Sequence, residues 1–284
     1  MKRRRKGRTG AIAAIVGGCA LLALCVLLRL FFTGSAPENP PAAETPPPGT
    51  AAPTAEPTPA PTPEPTTEPT PTPGPLVVID PGHQLHGDYA PEPLGPGSAE
   101  TKACVTDGTQ GVVTGVPEYE LNLALSLLLR EELEARGWRV VMTRETNDVS
   151  LSNMERAAIA NELGADVFVR IHANAGEDPA ARGIMTICLT AQNPFHPELY
   201  ERSRALAERV LAALGDAVGC EPGLRSLWET DTMSGINHAQ MPTVIVETGF
   251  MSNPDEDRLL ADPDYRALVA AGIAEGLAAW YAAG

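Results

Sequence analysis

Residues 76–284 are predicted to form a single α/β layered domain, a mostly parallel twisted sheet flanked by helices. Three observations predict it. Short apolar or β-branched runs alternate with longer stretches of helical period, the pattern of a layered sheet and its crossover helices. Leu76-Val77-Val78-Ile79 is apolar throughout, as a strand covered on both faces requires. Three of the runs end in an ionisable residue, His83, His172 or Glu247, at the edge where open α/β sheets bind ligands.

The chain before this domain is of a different kind. Residues 2–8 are strongly basic, and residues 11–28 are apolar without a charge, about the length that crosses a bilayer core. Arg29 sits where its long side chain can reach the headgroups. Positive charge ahead of the span places the N-terminus inside and the rest outside. Residues 1–36 are therefore expected to be a basic segment and a single-pass signal anchor; secretion after cleavage near Ala36 is the alternative. Cys19, after Val16-Gly17-Gly18, reads as a membrane cysteine, because the apolar stretch before it is too short for a lipidation signal. Residues 37–75 are rich in Pro, Thr and Glu and offer nothing to build a core, so a disordered, PPII-like stalk is expected. At about 3.1 Å per residue it reaches on the order of 100 Å.

Charge then narrows the partners. Residues 76–284 hold 14 Lys and Arg against 31 Asp and Glu, a net charge of −17. Such a surface is a poor binder of nucleic acid or anionic lipid, and no nucleic-acid partner is expected. Cys104, Cys188 and Cys220 are odd in number and irregular in spacing, which is neither a disulfide framework nor a zinc-finger pattern.

The elements follow in order. The first strand, 76–79, is turned sharply by Asp80-Pro81-Gly82, since Pro fixes φ and Gly tolerates positive φ. Residues 84–117 form a long Gly/Pro-rich loop without a period, and loops of this length in compact domains are usually functional. A helix starts at Pro117-Glu118, with carboxylates in its first turn, and ends at Gly137. Leu121, Leu125 and Leu128 share the face of Glu118, so that carboxylate points toward whatever the leucines pack on. Residues 138–143 are a strand. Residues 153–163 are a helix capped by Ser152 or Asn153. Strand 166–171 runs into His172, strand 183–189 follows, and 197–214 is a long helix. Residues 219–242 are a second irregular loop. Strand 243–246 runs into Glu247, and helices within 254–260 and 263–282 close the chain.

Two imidazoles and a carboxylate with one position left for water is a catalytic zinc arrangement, and a second carboxylate outside the metal's ligands can serve as general base. His83, His172, Glu118 and Glu247 supply these groups. They are far apart in sequence, and spacing alone leaves open which carboxylate takes which part. Of the other histidines, His86 is expected in a solvated loop and His196 at the surface. His238, just before the last strand, is a candidate for contact with substrate.

Several segments together resemble one known family, the zinc-dependent N-acetylmuramoyl-L-alanine amidases of the amidase 3 type. They are Val77-Val-Ile-Asp-Pro-Gly-His83, Glu118-Tyr-Glu-Leu-Asn-Leu123, Thr143-Arg-Glu-Thr-Asn-Asp148, Glu155-Arg-Ala-Ala-Ile-Ala-Asn161, Ile171-His-Ala-Asn174 and Val246-Glu-Thr-Gly-Phe-Met-Ser-Asn253. They occur in the family's order and span nearly all of 76–284. The resemblance implies one Zn2+ ion held by His83, Glu118 and His172, with Glu247 as the catalytic residue. It also selects Glu118 over Glu120. It further implies peptidoglycan as substrate, cut at the amide between the muramic acid lactyl group and the first L-alanine. Arg170 and Thr248 stand where the family usually has serine and leucine, and loop 84–117 is longer than in many members. A zinc peptidase acting inside the stem peptide and a non-catalytic wall-binding module are the rival readings. An amidase acting only on a modified wall, as in spore formation, is a third.

Overall fold

The computed structural model describes residues 73–284. The expected membrane anchor of 1–36 and all but the end of the stalk lie outside the described residues. Among the described residues no helix is long and apolar enough to cross a membrane.

The elements are β1 (Leu76–Pro81), β2 (Asp88–Pro93), β3 (Thr101–Val105), α1 (Glu118–Ala135), β4 (Arg139–Met142), α2 (Asn153–Leu163), β5 (Val167–Asn174), β6 (Ile184–Cys188), α3 (Tyr200–Ala217), β7 (Arg225–Glu229), α4 (Ser234–Asn237), β8 (Thr243–Phe250), α5 (Pro254–Ala261) and α6 (Pro263–Tyr281). Six strands form one sheet in the order β4-β1-β5-β8-β6-β7. Every neighbouring pair is parallel except β6 with β8.

The sheet sorts its residues by the two-residue period of a strand. On one face Val77 and Ile79, Val167, Val169 and Ile171, and Val244 and Val246 pack on leucines of α1 and α3 and on α6. On the other face Val78 and Phe168 meet Ala157 and Ala160 of α2. Ile187 and Ile245 meet Ile236 of α4. The second face also carries the polar residues that continue this alternation: Asp80, Arg170, His172 and Glu247.

Two segments expected to be irregular are ordered. Within 84–117, β2 and β3 pair as an antiparallel ribbon with a register shift between Asp88 and Pro91. Pro91 and Pro93 remove backbone donors from β2, which is tolerated in a two-stranded ribbon that has only edges but hides the strand from a periodicity reading. Within 219–242, β7 forms the outer strand of the main sheet. Its residues Arg225, Ser226, Leu227, Trp228 and Glu229 are polar enough to pass for loop, because an edge strand buries little. α2 begins at Ser152 with a reciprocal capping box to Glu155 and ends on Gly164 in the left-handed conformation.

Candidate metal centre and active-site cleft

β1 and β5 are adjacent and in register at Asp80 and Arg170, so the turn after β1 lies against the end of β5. His172 on β5 is in turn opposite Glu247 on β8. The first turn of α1 reaches the same edge. These three placements bring together four side chains from distant parts of the chain.

His83, Glu118 and His172 each offer a ligand atom, and those atoms all lie within 4.8 Å of one another. Glu118 Oε1 is 3.2 Å from His83 Nε2 and 3.3 Å from His172 Nδ1. The two rings stand edge to face, 4.8 Å between centroids. His83 Nδ1 donates to the Thr106 carbonyl at 2.8 Å, which fixes the ring with Nε2 turned toward Glu118. Glu118 is oriented by backbone N–H groups of Ala173 (3.1 Å) and Thr109 (3.0 Å) and by the Asn122 amide (3.2 Å). Glu120 is exposed, so the helix face selects Glu118, in keeping with the leucine pattern.

His83 has φ of 60°, and it alone among the described non-glycine residues has positive φ. A non-glycine residue in this region is a strained feature that its surroundings must enforce. Here the enforcement is visible. Arg156 donates to the carbonyls of Pro81 and His83, and Arg144 to those of Pro81 and Gly82. Both guanidinium groups are buried; Arg156 is paired with Asp80, whose negative charge also acts on Arg144. Asp80 accepts from Arg156 (2.7 Å), Arg170 (2.8 Å) and Thr143 (2.6 Å). Burial works against its charge, but the two arginines outweigh it and hold the carboxyl far below the usual carboxylate range.

The same balance sets the protonation of the centre. Burial brings His172 down to about 4, so its ring is neutral. Burial disfavours the charge of Glu118, but its bonds to the two histidines prevail and lower its pKa. His83 is raised, since Glu118 outweighs its burial. Glu247 is pushed up to about 8 by burial and then by the negative charge of Glu118. Two buried atoms are left without a protein partner here, His172 Nε2 and Glu247 Oε2. Native interiors seldom leave such atoms unmatched unless a ligand, ion or water completes them. A cation fits this donor set: two imidazoles, an ionised carboxylate, and bare buried polar atoms beside them. Gly82 and Gly108 make the approach feasible, since a Cβ on the first would overlap the His172 ring and one on the second would crowd Glu118 and His83.

The centre opens into a cleft of about 250 Å3. Its floor is Arg170, His172, Ile245 and Glu247 of the sheet, and β3 forms one wall with Lys102 and Val105. The ribbon is anchored there by Ser234 Oγ donating to Glu92 (2.6 Å), Asn237 to the Leu94 carbonyl (3.0 Å) and Lys102 to the Thr232 carbonyl (2.6 Å). His238 Nε2 donates to the Pro93 carbonyl at 3.0 Å, so this residue, a candidate for substrate contact, holds the ribbon and does not line the cleft. His86 is exposed and outside the cluster. His196 pairs with Glu198 away from it. Arg144 and Arg156, which hold the His83 turn, drew no role from sequence; their place in the segments 143–148 and 155–161 was the signal available. Cys104, Cys188 and Cys220 are all free thiols.

Comparison with known proteins agrees with this architecture. Residues 77–279 match the family described as N-acetylmuramoyl-L-alanine amidase, of the amidase 3 type. The chain is 29% identical over 214 residues to the N-acetylmuramoyl-L-alanine amidase Rv3717 of Mycobacterium tuberculosis, covering 74% of this chain and 87% of that protein. It is 27% identical to the amidase AmiC of Neisseria meningitidis, of whose length it spans about half, 52%. The crystal structure of the amidase Ami1 from Mycobacterium smegmatis superposes with a TM-score of 0.66 at 30% identity, over 74% of this chain and 98% of that one. With most of its length, its sheet and its ordered segments accounted for in this way, the chain belongs to the N-acetylmuramoyl-L-alanine amidase family.

Proposed function

We propose that this protein hydrolyses the amide joining N-acetylmuramic acid to the L-alanine of the peptidoglycan stem, using a zinc ion held by His83, Glu118 and His172. The observation that carries the reading is the cluster of those three residues with the bare Oε2 of Glu247 beside it. Zinc, when bound, supplies a Lewis acid that polarises the scissile carbonyl and acidifies water.

The chain's own residues do the rest. His83 Nε2 and the neutral His172 ring offer lone pairs, and Glu118 offers the compensating negative charge. Glu247 is the general base: Oε2 takes a proton as water adds to the carbonyl carbon, then hands it to the alanine nitrogen as the C–N bond breaks. A positive charge at the cluster opposes both influences that raise its pKa, and so readies it as a carboxylate. The products are the lactyl carboxylic acid on the sugar and a stem peptide with a free N-terminal alanine. The basic and apolar N-terminal sequence supports a placement of this site on the wall side of a membrane, at the end of a Pro-rich stalk.

The test is product analysis by mass spectrometry of purified peptidoglycan treated with zinc-loaded protein. Released stem peptides beginning with alanine, abolished by a chelator, are expected. Cuts between stem residues would instead identify a peptidase. Zinc binding without cleavage of any wall substrate would refute the enzymatic reading.

A further inference from the structure

The cleft differs in charge from the domain that carries it. The domain is strongly acidic, yet the charged residues lining the cleft beside Glu247 are the cations Lys102 and Arg170. Arg170 is the better placed. It lies two residues before His172 on β5, so it shares the sheet face of His172 at a spacing of about 6–7 Å along the strand. Its guanidinium is aimed. Nε donates to Asp80 and Nη2 to Asn153, which hold the plane in one orientation. Nη1 makes no hydrogen bond among the described residues and is not among the buried atoms sealed from solvent. The backbone of Gly235 packs so closely on Nη1 and Cζ that any Cβ there would overlap them. Asp80 does not cancel this charge, because it also serves Arg156.

We infer, resting on the amidase reading, that Arg170 is a specificity-determining residue whose free Nη1 group recognises a carboxylate on the stem residue that follows the scissile alanine. The distances suit this. One extended residue spans at most about 3.3–3.6 Å, so a carboxylate borne on the second stem residue falls about 5–7 Å from the scissile nitrogen. With the scissile amide at His172 and Glu247 and the stem running back along β5, that carboxylate arrives at Arg170. The second residue of a stem is glutamate joined through its side chain, and its main-chain carboxyl is either free or amidated. The free acid offers a guanidinium N–H an opposite charge as well as an acceptor, whereas the neutral amide offers the acceptor alone.

The experiment uses the full-length zinc-loaded protein in detergent and two synthetic disaccharide-peptides that differ only in that carboxyl, free or amidated. kcat/KM is measured for both. The wild-type protein is expected to favour the free acid by roughly 10- to 100-fold, the range of a hydrogen bond to a charged group. Arg170→Gln is expected to bring the ratio close to one, and Arg170→Lys to restore part of it. Zinc content is measured alongside. A structural loss lowers both rates together and leaves the ratio intact, and that result overturns the inference. Equal rates on the two substrates in the wild-type protein overturn it while leaving the amidase reading standing. Cleavage of neither substrate overturns both.

Discussion

Replacing Asp80 by Asn removes one charge from beneath the metal site, and the consequences can be worked out from its partners. Asp80 is fully buried between Arg156 and Arg170, with the buried Arg144 nearby. The substitution keeps the shape but leaves these cations without their shared anion. Breaking a buried pair from one side destabilises by about 3–5 kcal/mol. That is a large part of the ~5–15 kcal/mol that holds a domain together. Urea unfolding at pH 7 reads the effect, with fluorescence from Trp138, Trp228 and Trp280, the chain's three tryptophans, all within the domain. At a slope of about 2–3 kcal/mol per molar, the midpoint falls by about 1–2.5 M. The pH dependence adds a sign. Asp80 has a lower pKa folded than unfolded, so its stabilisation is complete above the unfolded value of about 4 and is lost as pH falls toward the folded one. The gap between wild type and Asp80→Asn is therefore widest at neutral pH and narrows below about pH 4. A midpoint shift under about 0.3 M at pH 7, with unchanged slope, would show that the arginines are satisfied by carbonyls alone.

Two further outcomes are expected at the site. Glu247→Gln lowers turnover by about 100- to 10,000-fold, the span of general acid–base catalysis, while zinc content by atomic absorption stays at the wild-type level; a wild-type rate would remove Glu247 from the mechanism. Gly82→Ala pushes a methyl group into the His172 ring, so the imidazole must shift. Zinc affinity, measured by competition with a chromophoric chelator, is expected to fall about 10- to 100-fold, as for other changes that disturb a ligand's support, and an unchanged affinity would mean the turn can give way.

The alternation of strands and helices was legible because most strands are buried on one or both faces and write their burial into the chain as apolar runs. The caps of α2, the turn at Asp80-Pro81-Gly82 and the inward face of Glu118 were legible because they depend on residues within a turn or two of each other. So was the resemblance, which rests on ordered segments. The ribbon of β2 and β3 and the edge strand β7 left little trace, since neither buries a regular stripe. Which residues meet at the site is a matter of strand order: β1, β5 and β8 are neighbours only in the folded sheet, and that adjacency sets His83, His172 and Glu247 side by side. The support beneath them is less local still. Arg144, Arg156 and Arg170 come from three separate segments and converge on Asp80 and on the carbonyls of the His83 turn. No local pattern encodes that convergence, because a buried charge finds its partners through packing and not through sequence spacing.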